Sequence, residues 1–269
     1  MPKQKLSNDD YCRAAGRLNC DVAAIKAVAS VESRGNGFDT KDRPKILFER
    51  HKFAKYTNGK YINSHPHICN WTAGGYGPSS AQYDRFSEAF MLDPEAAMMS
   101  ASWGKFQIMG FNFAVCGFKS VSDFVDAMKE NEGRHLDAFV EFVVVNMLDD
   151  ELRKNKWADF ARGYNGPDYK KNQYDTKMAA AFKEFKAENV DCSKFGGTKK
   201  WTALRLNDTG PNVKLVQEGL VTELLLSPAD VDGEFGPRTE MAIKAFQCLN
   251  GLKVDGVVGK VTRRKLLEL

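Results

Sequence analysis

The chain has 269 residues, a length that suits one large domain or two unequal ones. Hydrophobic residues make up 43% and charged residues 28%, with 22 Gly and 9 Pro, so the chain can bury a core and collagen-like or disordered readings are excluded. Lys and Arg outnumber Asp and Glu by 39 to 35. The two signs are interleaved, so nucleic acid is not expected as a partner, while a mild attraction to an anionic surface fits.

The N-terminus, MPKQKLSNDDYCRAAG, starts with charge but reaches Asp9 and Asp10 where a signal peptide would place its apolar core, so no signal peptide is expected. No run reaches the ~18 apolar residues of a spanning helix. The densest patch, Phe139 to Leu148, is cut by Glu141 and Asn146, and membrane insertion is not expected. Helical periodicity predicts helices over Asp21 to Ser33, Ser87 to Ala101, Ser122 to Asn146, Trp157 to Arg162 and Asp175 to Ala187. Breaks are expected at Asp93-Pro94 and Gly133. Tyr56 to Ser80, rich in Gly, Asn and Pro, reads as a small hairpin or a functional loop. Periodicity is lost between Glu188 and Thr202, where Gly196-Gly197 marks a linker.

Beyond it the text repeats. VDGEFGPRT (Val231 to Thr239) and VDGVVGKVT (Val254 to Thr262) match at an offset of 23 residues, and each leads into a short helix with one apolar stripe. Asp-Gly makes the turn, and Thr239 and Thr262 are expected to cap the helices that follow.

The six cysteines (Cys12, Cys20, Cys69, Cys116, Cys192, Cys248) show no CxxC pair and no even spacing. Buried or idle thiols are expected, not a zinc ribbon or a disulfide framework, and whether any two join is left open. His65, His67 and Cys69 in HPHIC are crowded and lack a second cluster, so no metal site is expected.

Candidate chemistry begins at Glu32. With Asp21 as N-cap, the helix VAAIKAVASVES puts Ile25, Val28, Ala29 and Glu32 on one stripe. A carboxyl on the apolar face, in the last turn where the helix dipole opposes negative charge, should have a raised pKa and donate a proton near neutral pH. It could instead form an ion pair with Arg34 or Arg43, or turn outward as the helix frays.

Two further strings accompany VES: SWGKFQIM (Ser102 to Met109) and ARGYNGPDY (Ala161 to Tyr169). In this order the three resemble the motifs of the lysozyme-like superfamily of goose-type lysozymes and soluble lytic transglycosylases. Glu32-Ser33, Gly104-Lys105-Phe106-Gln107 and Gly163-Tyr164-Asn165-Gly166 stand where that superfamily has Glu-Ser, Gly-Leu-Met-Gln and Ala-Tyr-Asn-Ala-Gly. AIKAVASVES, RPKILFERH, GGYG, AQYDRF, SASWGKFQIMGFN and ARGYNGP resemble more closely the N-acetylmuramidases of bacteriophage endolysins. The repeat is similar to the three-helix peptidoglycan-binding module.

The resemblance implies a mainly α fold: a lysozyme-like helical catalytic domain with a small β-hairpin region over 1–190, a linker over 191–202, and a three-helix peptidoglycan-binding module over 203–269. It implies hydrolysis of the β-1,4 bond between N-acetylmuramic acid and N-acetylglucosamine in bacterial peptidoglycan, with no cofactor, by a monomer held in the host cytoplasm until lysis and then acting in the periplasm and cell wall. Glu32 would be the proton donor, and Gln107, Tyr164, Asn165 and Ser33 would bind substrate. Asp232, Phe235, Phe246, Gln247 and Asp255 would form the wall-binding module.

The second carboxylate is not settled by spacing. Glu49, after the apolar run ILF, is the candidate at a strand end, unless a salt bridge to Arg43 or Arg50 gives it a purely structural part; Asp39, Asp42 and Asp84 are rivals. Phe106, where lytic transglycosylases often have Met, weakens any transfer of their product chemistry; that outcome stays open for the case that no second carboxylate qualifies and the substrate's own 6-hydroxyl attacks. An inactive wall-binding or virion structural protein stays open too, as does a zinc amidase carrying the same module.

Overall fold

The computed structural model describes residues 3–193 and 203–267. The expected linker falls largely outside them, at 194–202, together with Gly196-Gly197. The chain divides into two compact units, Met1–Thr198 and Lys199–Leu269.

In the first unit, Ser7 opens α1 (Asn8–Leu18) with a capping box: its hydroxyl accepts from the Asp10 amide while the Asp10 carboxylate accepts from the Ser7 amide at 2.8 Å. Asp21 caps α2 (Val22–Ser33), accepting from the Ala23 amide. Ile25, Val28 and Ala29 are buried as the stripe requires. Strand β1 (Ile46–Phe48) leads into α3 (Arg50–Tyr56). A long irregular segment follows, then α4 (Gln82–Leu92) and α5 (Pro94–Met99), separated at Asp93, which caps α5 with Pro94 at its first position.

Strands β2 (Ala101–Trp103) and β3 (Ile108–Met109) form a hairpin, and β1 pairs antiparallel with β2 in the register Leu47 to Ser102. The small sheet is thus built from β1, β2 and β3. Residues 57 to 78 run through turns, bends and coil without a strand, so of the two readings for Tyr56 to Ser80 the hairpin is corrected and the loop remains.

Helices α6 (Val121–Glu130) and α7 (Glu132–Val145) follow. Their break lies at Asn131, not at Gly133, because the Asn131 side chain accepts from the Arg134 amide and caps α7. Then come α8 (Asp149–Arg153), α9 (Trp157–Asn165) and α10 (Tyr174–Lys186). Helix α2 packs along α10, and α1 against α7, so the apolar α2 lies at the centre of the unit.

The cysteine expectation needs correction. Cys12 in α1 is disulfide-bonded to Cys192, beyond α10. Cys20, Cys69 and Cys116 are buried free thiols and Cys248 is exposed. A pair 180 residues apart in sequence belongs to no local motif, and only the fold brings it together.

The second unit contains α11 (Pro211–Thr222), α12 (Pro237–Leu249) and α13 (Lys260–Leu266) around a core that includes Val213, Val216, Leu220, Phe235, Ile243 and Phe246. Each repeat turn closes on a buried glutamine. Gln217 donates to Asp232 at 2.8 Å, to the Glu234 carbonyl and to Thr239 Oγ1, and accepts from the Gly233 amide. Gln247 makes the same set with Asp255, Val257, Thr262 and Gly256.

Two expectations change here. Thr239 and Thr262 do not cap; Gly236 and Gly259 hold the cap positions, and both threonines are buried with hydroxyls bonded to the glutamines. Phe235, Phe246 and Gln247 are each 1% exposed, so they are core and cannot touch a wall polymer. Asp232 and Asp255 fasten the turns.

Candidate active site

Glu32 sits in the last turn of α2, just ahead of the left-handed Arg34 (φ 55°) that ends the helix. The residue is half-buried, with its carboxyl at the wall of a cavity. Burial raises its pKa to about 7, opposed by a hydrogen bond from Asn165. The Asn165 side-chain amide donates to Glu32 Oε1 at 2.8 Å. Among the described residues no cation pairs with Glu32; Arg43 holds Asp39 at 2.7 Å instead, so the ion pair considered for Glu32 does not form.

Glu32 lines an open cavity of 430 Å³ with Ser33, Arg34, Asp39, Lys45, Leu47, Ser79, Gln82, Tyr83 and Gln107. One wall is the irregular segment before α4. It is held by the buried Gln82, whose amide donates to the Tyr76 and Pro78 carbonyls while its oxygen accepts from the Phe48 amide at 2.9 Å. Arg85 adds bonds to the Gly75 and His67 carbonyls, and the Tyr83 hydroxyl donates to the Pro44 carbonyl at 2.6 Å. The motif AQYDRF is therefore a clamp that fixes a loop beside the cleft.

Gln107 stands in the β2–β3 turn with φ 49°, and its amide group is internally satisfied: it accepts from Ser102 Oγ at 2.9 Å and donates to the Gly104 and Lys45 carbonyls. Ser33 lines the cavity, but its hydroxyl bonds back to the Ala29 carbonyl. Tyr164 lies below the turn, stacked on Phe160, with its hydroxyl donating to the Phe106 carbonyl at 2.7 Å. Its bonding is therefore to the turn that carries Gln107.

Glu49 follows β1 as expected and is the N-cap residue of α3 without a capping bond, but like Asp42 and Asp84 it is not among the residues lining the Glu32 cavity. Its carboxylate lies 3.2 Å from His51 Nε2, a ring that burial keeps toward its neutral form, and not against Arg43 or Arg50. Burial raises its pKa, offset in part by Lys52. Tyr174 feels both Glu32 and Glu49, which together with burial push its phenol up to about 12. Of the rivals, Asp39 lines the cavity, but its carboxylate accepts from the Lys41 and Arg43 amides and from Arg43 Nε; these bonds outweigh burial and lower its pKa. Asp42 and Asp84 are exposed and do not line the Glu32 cavity.

A buried polar network supports the cleft from behind and was not expected. Glu132, 1% exposed, accepts from Lys105 Nζ at 2.9 Å and from the Leu6 and Gly37 amides. Lys105 also donates to the Gly35 carbonyl at 2.6 Å, and its amide donates to His135 Nδ1. Burial lowers the His135 imidazole to about 4, so the ring is neutral and its Nε2 bonds to the Met128 carbonyl. Gly104 has φ +71° and His135 directly against it, where a Cβ would approach within 2.8 Å. The network joins the loop after Glu32 to the turn before Gln107.

No group of three or more His, Cys, Asp or Glu among the described residues could hold a metal ion. Cys69 is fully buried, while His67 pairs with Glu88 at 2.8 Å. Among the described residues no helix is long and apolar enough to cross a membrane.

The family model of the N-acetylmuramidases matches residues 21–186, and that of a peptidoglycan binding domain matches residues 209–266. The crystal structure of a Burkholderia AP3 phage endolysin is similar, with a TM-score of 0.62 and 41% identity over 68% of this chain and 72% of that one. An uncharacterized protein of Kitasatospora aureofaciens is 46% identical over 63 residues, 23% of this chain and 53% of that protein. An N-acetylmuramoyl-L-alanine amidase of Bacillus licheniformis is 38% identical over 66 residues, 22% of this chain and 18% of the amidase. The chain thus spans about half the length of the first of these curated relatives and less than a fifth of the second. Because the first model takes in more than half of the residues, from α2 through α10, the chain belongs to the N-acetylmuramidase family.

Proposed function

We propose that this protein cleaves the β-1,4 bond between N-acetylmuramic acid and N-acetylglucosamine in bacterial peptidoglycan, as a phage endolysin. The observation that carries the reading is the Glu32 carboxyl, unpaired by any cation among the described residues, raised to about 7 and lining an open cleft. An acid of that pKa is about half protonated at neutral pH, where an ordinary glutamate is almost wholly ionised, and can protonate the glycosidic oxygen as the sugar takes on oxocarbenium character. Asn165 orients the carboxyl through the hydrogen bond its side-chain amide donates.

Glu49 is the second carboxylate in this reading. Its raised pKa makes it a better base than Asp39, whose oxygens are held by three donors. It activates water, so the product is a hydrolysed reducing end. Gln107 and Ser33 shape the cleft wall rather than reach the sugar with free groups, Tyr164 supports the turn from outside the lining through the Phe106 carbonyl, and Arg34 is the exposed side chain beside them, with Tyr83 half-buried.

The family match of residues 209–266 supports wall anchoring by the second unit, which raises the effective concentration of the cutting site around each anchor. The Cys12–Cys192 bond supports a working compartment that is oxidising, such as the periplasm and wall reached after lysis begins.

Glu32→Gln keeps the size and the Asn165 contact but removes the proton. Turbidity clearing of substrate cells should slow by about a hundredfold or more while sedimentation with purified walls persists. Mass spectrometry of the muropeptides should show water added at the new muramic end; anhydro products would instead identify a transglycosylase. Undiminished lysis by Glu32→Gln would refute the assigned role.

A further inference from the structure

The cleft continues beyond Glu32. Its cavity shares Asp39, Lys45 and Ser79 with a second, larger one of 720 Å³, which is lined also by Lys3, Lys5, Lys41 and Arg43. Three carboxylates also line this extension: Asp42, which is exposed, and Glu132 and Asp39, which are engaged. Glu132 is held by Lys105 and two backbone amides, and Asp39 by Arg43 and the amides of Lys41 and Arg43. Among the described residues no carboxylate pairs with Lys3, Lys5, Lys41 or Lys45. Lys45 donates only to the Ser33 carbonyl, at 2.9 Å. Burial lowers its pKa, and Arg34 and Lys105 add to the effect, as expected where cations crowd together.

The lysines of the N-terminal segment are also held in place. The Gln4 carbonyl accepts from the Glu132 amide at 3.1 Å and the Leu6 amide donates to the Glu132 carboxylate at 3.0 Å, so the backbone on both sides of Lys5 is fastened to the start of α7. A group of unpaired cations has nothing to bind on the sugars of a glycan strand whose muramic carboxyls are all amide-linked. It matches the carboxylates of the short acidic peptide that hangs from muramic acid.

We propose that the basic extension, with Lys5 and Lys41 at its rim, is a subsite for the carboxylates of the peptidoglycan stem peptide, and that it makes the enzyme prefer peptide-bearing over peptide-free glycan. This rests on the muramidase reading. Lys45 lies in both cavities and links the two stretches of the groove, so a muramic residue beside Glu32 directs its peptide toward the lysines.

The test compares kcat/KM of the full chain on intact peptidoglycan and on the same glycan stripped of stem peptides with its freed lactyl carboxylates capped as amides, for wild type and for the Lys5→Gln/Lys41→Gln double variant. Wild type should favour intact material. The double variant should lose about five- to tenfold of that preference, through KM with kcat kept, and Lys5→Arg/Lys41→Arg should retain it. Free stem peptide should inhibit wild type competitively, less at high salt and less in the double variant, and inorganic phosphate at equal concentration should inhibit far less. Equal use of both substrates by wild type, an unchanged preference in the double variant, or phosphate inhibiting as well as the peptide would overturn the subsite while leaving the muramidase reading intact. Failure of wild type to cut either substrate would overturn that reading and this one with it.

Discussion

The amide nitrogen of Asn165, at the end of α9, donates to Oε1 of Glu32, in the last turn of α2, at 2.8 Å. This bond favours the ionised carboxyl, while burial favours the neutral one by a larger margin and leaves the pKa at about 7. Asn165 therefore orients the proton donor and restrains how far its pKa rises.

Asn165→Ala should move the alkaline limb of the kcat/KM profile upward. The active form carries the proton on Glu32, so wild-type activity should fall as pH rises through about 7. Loss of a hydrogen bond to the charged form raises the pKa by about one unit, and kcat should fall because the carboxyl is no longer oriented. An unshifted limb would show that Asn165 does not contact the titrating group.

Glu32→Gln should stabilise the fold at neutral and alkaline pH. The folded pKa of about 7 lies above the ordinary value of 4.5, so between these values the native state binds more protons than the unfolded state. Wild-type stability then falls as pH rises through that window and levels off above it. Glutamine escapes this fall, worth at most about 3 kcal/mol. Thermal unfolding at pH 4 and pH 8 measures it: the variant's advantage should appear at pH 8 and vanish at pH 4.

Lys105→Met should be costly far from any reacting atom. It leaves the Glu132 carboxylate buried without its cation and removes the donor to the Gly35 carbonyl. Breaking one side of such a pair costs about 3–5 kcal/mol. The Lys105→Met/Glu132→Gln double variant should recover part of that loss, and the coupling can be read from urea unfolding of the four proteins.

Reduction of Cys12–Cys192 should lower the melting temperature of the catalytic unit. The bond closes a long loop across that unit, and releasing such a constraint costs about 2–5 kcal/mol, or about 5–15 °C at this size. Cys12→Ser under oxidising conditions should match the reduced wild type. If reduction leaves the melting temperature unchanged, the bond does not constrain the unit.

The legible part of the fold and site was local. The Asp21 cap, the apolar stripe of α2 and the misplaced Glu32 all lie within about three turns of one helix, where periodicity reports facing directly. Asp93-Pro94 separated two helices as its chemistry demands, and Glu49 emerged at the end of a strand.

What pattern could not reach was long-range pairing. Lys105 occupies the position of Leu in the related motif, and the carboxylate that satisfies it is 27 residues away. Cys12 and Cys192 meet only because α1 and the end of α10 flank α2. Asn131 outcompeted Gly133 as a helix break because a side-chain cap stabilises a helix start and glycine only weakens an interior. In the second unit, Gln217 and Gln247 do not share the 23-residue offset of the Asp-Gly turns. Their part in burying Thr239 and Thr262 was therefore invisible, and the pattern that named Phe235 and Phe246 as residues of the module did not tell core from surface.

Carbon-13 NMR of the full chain with labelled glutamate side chains tests the central claim most directly. One carboxyl resonance, absent from Glu32→Gln, should titrate with a midpoint of about 7. A Glu32 resonance that titrates near 4.5, like an exposed glutamate, would contradict a buried proton donor.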